Sequence, residues 1–208
     1  MKVTFLFCIL YFVCTIFSFS QTTVPSDFAD VTFSSGFTSV TGFVFDTSGR
    51  GYAWEKAGKV WIIDNNGTKL PQPLLNIAEE VGNWNEHGMM GFALHPDFYV
   101  NGYFYVYYTV DRHYLLYYGT GNYSATTNLY NNATINRVVR YQADAATNFT
   151  TLVSNSRTVL IGATKQTGIP VTTGFHDGGC LFFGADKSLI IALGDLSISA
   201  GGAADTGS

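Results

Sequence analysis

The densest group of side chains able to move a proton lies in GFHDGGCLFFGADKSLIIALGD, residues Gly174–Asp195. His176 and Asp177 sit in a glycine-flanked loop, and Asp195 closes the apolar run that follows. A carboxylate that meets an imidazole fixes its tautomer and makes the other ring nitrogen a better proton acceptor, which is what a general base requires. Asp195 taken alone is a turn residue at a strand end, its commonest use. A second group, NWNEHGMMG (Asn83–Gly91), carries Glu86 and His87 into another apolar run. Glu86 divides evenly between a site residue and a solvated loop residue. His87 reads as a loop hydrogen-bonder, His95 before Pro96 as a structural turn residue, and His113 as a surface residue. No His, Cys, Asp and Glu spacing completes a zinc site, so no metal ligand is assigned. Met89 and Met90 read as core.

These residues need a scaffold that brings them together. If Cys180–Phe183 and Leu189–Leu193 are consecutive antiparallel strands turning at Gly184–Ser188, the hairpin returns Asp195 to the sheet end that holds His176. The rest of the chain repeats this plan. Thr41–Tyr52 (TGFVFDTSGRGY) reads as strand, turn and strand, and Lys59–Asp64 (KVWIID) follows a Gly58 turn. GYFYVYYTV (Gly102–Val110) reads as a buried strand, and INRVVRYQA (Ile135–Ala143) and SNSRTVLIG (Ser154–Gly162) as two more. Only Pro73–Val81 suggests a short helical turn. The phrases FDTSG, LHPDF and FGADK start at Phe45, Leu94 and Phe183, offsets of about 49 and about 89 residues. Those are close to one and two units of a 40–50-residue repeat, the period of propeller blades. At roughly 45 residues per blade the chain beyond residue 20 predicts about four blades, an incomplete N-terminal portion of a larger all-β propeller with an exposed apolar edge. The middle of Thr120–Asn148, rich in Asn, Thr and Tyr, reads as a long exposed excursion with the INRVVRYQA strand inside it.

Composition narrows the partners. The chain has 208 residues, 12% charged and 16% aromatic, with net charge −4. Disorder and coiled coil are excluded, and no basic surface argues for nucleic acid. Lys2 followed by an apolar run to Phe19 makes residues 1–20 a secretory signal peptide, with the domain occupying 21–208. No later run is long enough to span a bilayer, so an extracellular, secreted product is expected. Cys180 alone remains after cleavage and reads as core, with a partner outside this sequence as the alternative. Sequons at Asn66, Asn122, Asn132 and Asn148 predict a surface-glycosylated glycoprotein.

Three stretches carry a family likeness. EHGMMGFALHPDFYVNGYFYVYYT, HDGGCLFFGADKSLIIALGD and VTGFVFDTSGRGYAWEKAGKVWIID resemble, in order and spacing, phrases of the glucose/sorbosone dehydrogenase family, the soluble quinoprotein sugar dehydrogenases. The resemblance implies a six-bladed β-propeller holding pyrroloquinoline quinone (PQQ), partly through calcium. It implies an enzyme that oxidises an aldose hydroxyl and passes electrons to an acceptor. His176 falls at the place of the base and Asp195 at that of the carboxylate orienting it, while Glu86 and His176 lie where substrate and cofactor meet. Gly184-Ala185-Asp186-Lys187 stands where the family often has Gly-Pro-Asp-Gly. The same domain occurs in hedgehog-interacting-protein-like members as a non-catalytic extracellular binding propeller, which is the alternative function. A lactonase-like metal hydrolase would need converging axial ligands, and only Glu86 and Asp195 could contribute.

Overall fold

The computed structural model describes residues 25–130 and 132–195. The signal-peptide segment and the glycine-rich tail after residue 195 lie outside the described residues. Residues up to Phe33 and those from Ser34 onward are separate units. In the first, residues 25–33 are exposed, with one turn in which the Phe28 N–H donates to the Pro25 carbonyl (2.9 Å).

The second unit is all-β. Strands β1 (Val40–Phe45), β2 (Gly51–Glu55), β3 (Lys59–Ile63) and β4 (Leu75–Asn76) form a four-stranded antiparallel meander. β5 (Met89–Leu94), β6 (Tyr103–Thr109), β7 (Thr134–Gln142) and β8 (Thr158–Ile161) form a second sheet in the same order, and β9 (Ile169–Val171) pairs with β7. β10 (Cys180–Phe183) and β11 (Leu189–Ala192) form a hairpin. Two short helices, α1 (Phe98–Asn101) and α2 (Arg112–Tyr117), lie in the connections.

The repeated phrase marks one place in this plan, the connection from first to second strand. In FDTSG, Asp46 Oδ1 accepts the Ser48 N–H (2.8 Å) and the Arg50 N–H (3.1 Å). In the third copy Asp186 Oδ1 accepts the Ser188 N–H (3.0 Å). A side-chain oxygen that closes a turn on its own backbone is the reason Asp recurs there. The middle copy uses His95 Nδ1, which accepts the Asp97 N–H (3.0 Å) and serves the turn as expected.

The three copies open three consecutive units, so the offset of about 89 residues is one enlarged unit and not two. The described residues therefore hold two blade-sized sheets and a hairpin, fewer than the four blades that length predicts. The surplus residues are spent on α2 and the segment up to Ala133, between β6 and β7, and on the 143–157 segment between β7 and β8. Residues 73–81, expected as a helical turn, instead form β4 and a turn, because Leu75 pairs with Val60.

The second sheet is buried on both sides, which explains the unbroken aromatic run of β6. Successive strand side chains alternate between faces. Phe104, Val106 and Tyr108 join a core with Tyr52, Trp54 and Ile62 of the first sheet. Phe92 lies at its centre, with ring centroids 5.7 Å from Tyr52, 5.4 Å from Trp54 and 5.6 Å from Phe104. Tyr105 and Tyr107 join the opposite core, with Leu181 of the hairpin. Each such side chain contributes about 1.5–3 kcal/mol by leaving water. Met89 is fully buried, as expected, and Met90 packs partly buried against the second core.

Two further expectations are corrected. Cys180 is a free, exposed thiol. β10 turns Leu181 inward, so its neighbours Cys180 and Phe182 fall on the open face. His113 is buried, because α2 folds back and the Ser124 N–H donates to its Nε2 (3.1 Å). The Thr120–Asn148 stretch follows expectation: residues 120–122, 125–128 and 145–148 are exposed, and the strand inside it is β7, a central strand of the second sheet. Among the described residues no helix is long and apolar enough to cross a membrane.

Candidate functional site

The hairpin does what its sequence requires. Cys180 pairs with Ala192 and Phe183 with Leu189, so residues 176 and 195 emerge at the same end. His176 Nδ1 lies 3.3 Å from Asp195 Oδ1, with side chains 49% and 70% exposed. The two residues expected to form the site are therefore together and open to solvent.

Glycines make this approach possible. A Cβ on Gly194 would overlap the His176 carbonyl oxygen and the Asp177 backbone, and one on Gly178 would lie within 2.6 Å of the Gly194 nitrogen. The Gly194 N–H donates to the Asp177 carbonyl (2.9 Å), which locks the two ends of the hairpin together. His176 itself has φ 61°, a left-handed conformation uncommon for a side chain with a Cβ. Residues held in that region cost free energy and cluster at functional sites.

Glu86 holds this conformation from the other loop. Its carboxylate accepts the His176 backbone N–H. The Glu86 N–H donates to the Gly174 carbonyl (3.1 Å), and a Cβ on Gly174 would overlap the Trp84 ring. The three expected site residues, Glu86, His176 and Asp195, thus meet in space. Lys56 adds a cation at the edge, donating its Nζ hydrogen to the Asn85 carbonyl.

Beneath them lies a second pair that sequence reading did not single out. His87 and Asp177 are 0% and 1% exposed. His87 Nε2 hydrogen-bonds the Thr173 carbonyl (3.0 Å) and lies 3.1 Å from Asp177 Oδ2. The His87 N–H aligns with the carbonyl, and neither Asp177 oxygen receives an aligned hydrogen bond. Burial, reinforced by the nearby Glu86 carboxylate, pushes the Asp177 carboxyl up to about 7. Burial also pulls His87 below the ordinary imidazole value, against the Thr173 carbonyl, which favours the charged ring. Tyr107 of β6 completes the pocket. Its phenol is held well above the usual range, first by burial and then by the Asp177 charge. His87 is a loop hydrogen-bonder as expected, but a fully buried one.

No group of three His, Cys, Asp or Glu side chains placed to hold a metal ion occurs among the described residues. The sequon residues Asn66, Asn122, Asn132 and Asn148 are all exposed.

Solved structures share this architecture. An oxidoreductase described as a glucose dehydrogenase, from Thermus thermophilus, matches with 22% identity and a TM-score of 0.54, covering 79% of this chain and 40% of that one. A second glucose dehydrogenase matches at 17% identity and a TM-score of 0.54, covering 76% and 38%. The PQQ-bound aldose sugar dehydrogenase of Streptomyces coelicolor matches at 22% identity and a TM-score of 0.47, covering 76% and 39%. At these identities the first two likenesses establish a shared β-propeller fold, of which this chain spans about two fifths of the relatives' length. No curated protein matches the chain. A family model described as Glucose / Sorbosone dehydrogenase matches residues 39–208. That match runs from β1 through the hairpin joining His176 to Asp195, so it takes in the site as well as the sheets, and the chain belongs to the glucose/sorbosone dehydrogenase family.

Proposed function

We propose that the protein is a secreted sugar dehydrogenase that oxidises an aldose hydroxyl with PQQ, using His176 as general base and Asp195 to orient it. The observation carrying this is the 3.3 Å approach of His176 Nδ1 to Asp195 Oδ1 at an open sheet end. With Nδ1–H directed at that carboxylate, the ring's lone pair is on Nε2, where it can take the hydroxyl proton of a sugar. Asp195 keeps the tautomer and spreads the charge that forms on the ring. Glu86 fixes the backbone of the base and presents its carboxylate beside it.

The residues present fit one side of the cofactor. A proton acceptor open to solvent, an oriented carboxylate and a lysine at the rim form a polar, accessible face. Glu86 and His176 would stand against the quinone. When bound, PQQ supplies the hydride-accepting carbonyl, chemistry that no side chain offers. The described residues offer no comparable set for calcium, and no step here uses the ion. The four exposed sequons fit an extracellular glycoprotein, for which loss of mass on deglycosylation is the direct check.

The test uses full-length protein with added PQQ and calcium, following dye reduction by aldoses. His176→Ala should lower kcat by about 10²–10⁴-fold, the usual worth of a positioned base. Activity unchanged by that substitution overturns the assignment.

A further inference from the structure

Asp177 follows His176 in the chain, yet His176 is exposed while Asp177 is buried. It touches every piece of the site. Its carbonyl accepts the Gly194 N–H, next to Asp195. Its carboxyl meets His87, the neighbour of Glu86. Glu86 in turn holds the His176 N–H. Two loops are thereby stitched at one point: the loop of residues 84–88 and the loop of residues 173–179.

The proton on Asp177 follows from the donors around it. The Thr173 carbonyl can only accept, so His87 Nε2 carries a hydrogen and directs it there. That leaves no aligned donor for either Asp177 oxygen. An ionised carboxylate so placed would be a buried charge without a hydrogen bond, which is costly, whereas the neutral acid avoids most of that cost. The groups facing it do not compensate. Glu86 adds like charge, and the Tyr107 hydroxyl of β6 does not hydrogen-bond either Asp177 oxygen. Lys56, after β2, faces His87 while its Nζ serves the Asn85 carbonyl. His176 and Asp195 pair with each other at the surface.

We infer that Asp177 is a positioning residue: as a buried neutral acid against His87 it clamps the His176 loop to the Glu86 loop, and loss of its proton loosens that clamp. This rests on the reading of His176 as the base. Burial and the Glu86 carboxylate place the loss near neutrality. The clamp holds below that point and weakens above it. Misplacing a base by about an ångström is enough to cost about 10²-fold in rate, so a loosened loop is felt in kcat.

The proton can be seen without turnover. Infrared difference spectra of wild type against Asp177→Asn should show the carbonyl stretch of a protonated carboxylic acid at about pH 5, fading by about pH 9. In the loaded full-length enzyme, kcat should fall about tenfold across the same range with KM little changed, and Asp177→Asn, neutral at every pH, should abolish that fall. His87→Gln keeps a donor for Thr173 and should preserve the acid band, which guards against a folding defect in any one variant. A wild-type spectrum lacking the acid band at about pH 5 overturns the inference, as does an alkaline loss of kcat that persists in Asp177→Asn. Should His176→Ala leave turnover intact, the base assignment fails, and the infrared result still decides the proton on Asp177.

Discussion

Two His–Asp pairs share this region, and their aspartates and histidines come from the same short phrases. His176–Asp195 stands half in water at 3.3 Å, and His87–Asp177 is sealed at 3.1 Å. The chemistry of the partners is identical and the consequences are opposite. Solvent screens the outer pair, so a change in its protonation costs the fold little. The inner pair is buried away from any substrate, and its protonation state is coupled to stability. The difference shows that a His–Asp contact is not a function in itself. Burial decides whether its proton is available or structural.

The largest expected break between the pairs is with pH. The Asp177 carboxyl rises from an ordinary 3.8 to about 7 on folding. The folded state therefore binds the proton more tightly than the unfolded chain, and stability falls as pH rises between those values and levels off above them. The loss approaches on the order of 4 kcal/mol if the whole shift is expressed. Denaturant unfolding at a series of pH values should show this slope in wild type and lose it in Asp177→Asn. An unchanged slope in the variant would assign it to another group. Next comes Gly194, whose backbone joins the two pairs. Gly194→Ala should cost about 3 kcal/mol, because backbone atoms and not a flexible side chain stand in the way of the Cβ. Its Tm, read by calorimetry, should fall more than that of Gly119→Ala, where the Cβ would meet nothing and the cost is that of a positive φ alone. His87→Leu keeps volume but strips the Thr173 carbonyl of its donor, with an expected cost of about 2 kcal/mol in the same assay.

What could be read from the sequence divides along the same line. The outer pair was legible because antiparallel pairing is local. Two apolar runs around the turn at Gly184–Ser188 place His176 and Asp195 at one end whatever surrounds them. The three turn phrases were legible because an Asp or His closing a turn on its own backbone is also local. The inner pair was not, because its burial depends on Tyr107 and the Trp84 loop, some ninety residues away in the case of His87 and Asp177. Its one visible trace is the glycine crowding around Asp177, which reads as a need for close approach. Cys180 and His113 were misplaced for the same reason. A strand pattern gives alternation but not which face is covered, and a short Tyr-rich stretch gives no hint that it folds back. The offset of about 89 residues read as two units because the period was taken as constant, while insertions and the additional strand β9 enlarged one unit.

The smallest predicted effect is the sharpest test of the comparison. Asp195→Asn preserves shape and removes only charge. At 70% side-chain exposure the pair's contribution to the fold is screened, so stability should stay within about 0.5 kcal/mol of wild type at every pH. Its effect should appear instead in turnover, as a fall in kcat at constant KM, because asparagine can present its amide nitrogen to Nδ1 and so stabilise the tautomer in which Nε2 carries the hydrogen. If Asp195→Asn destabilised the protein as much as His87→Leu, the outer pair would be structural like the inner one, and the distinction by burial would collapse. A variant that lowers kcat while leaving the unfolding curve in place would show that one protein has put the same two side chains to separate uses, with water as the only variable.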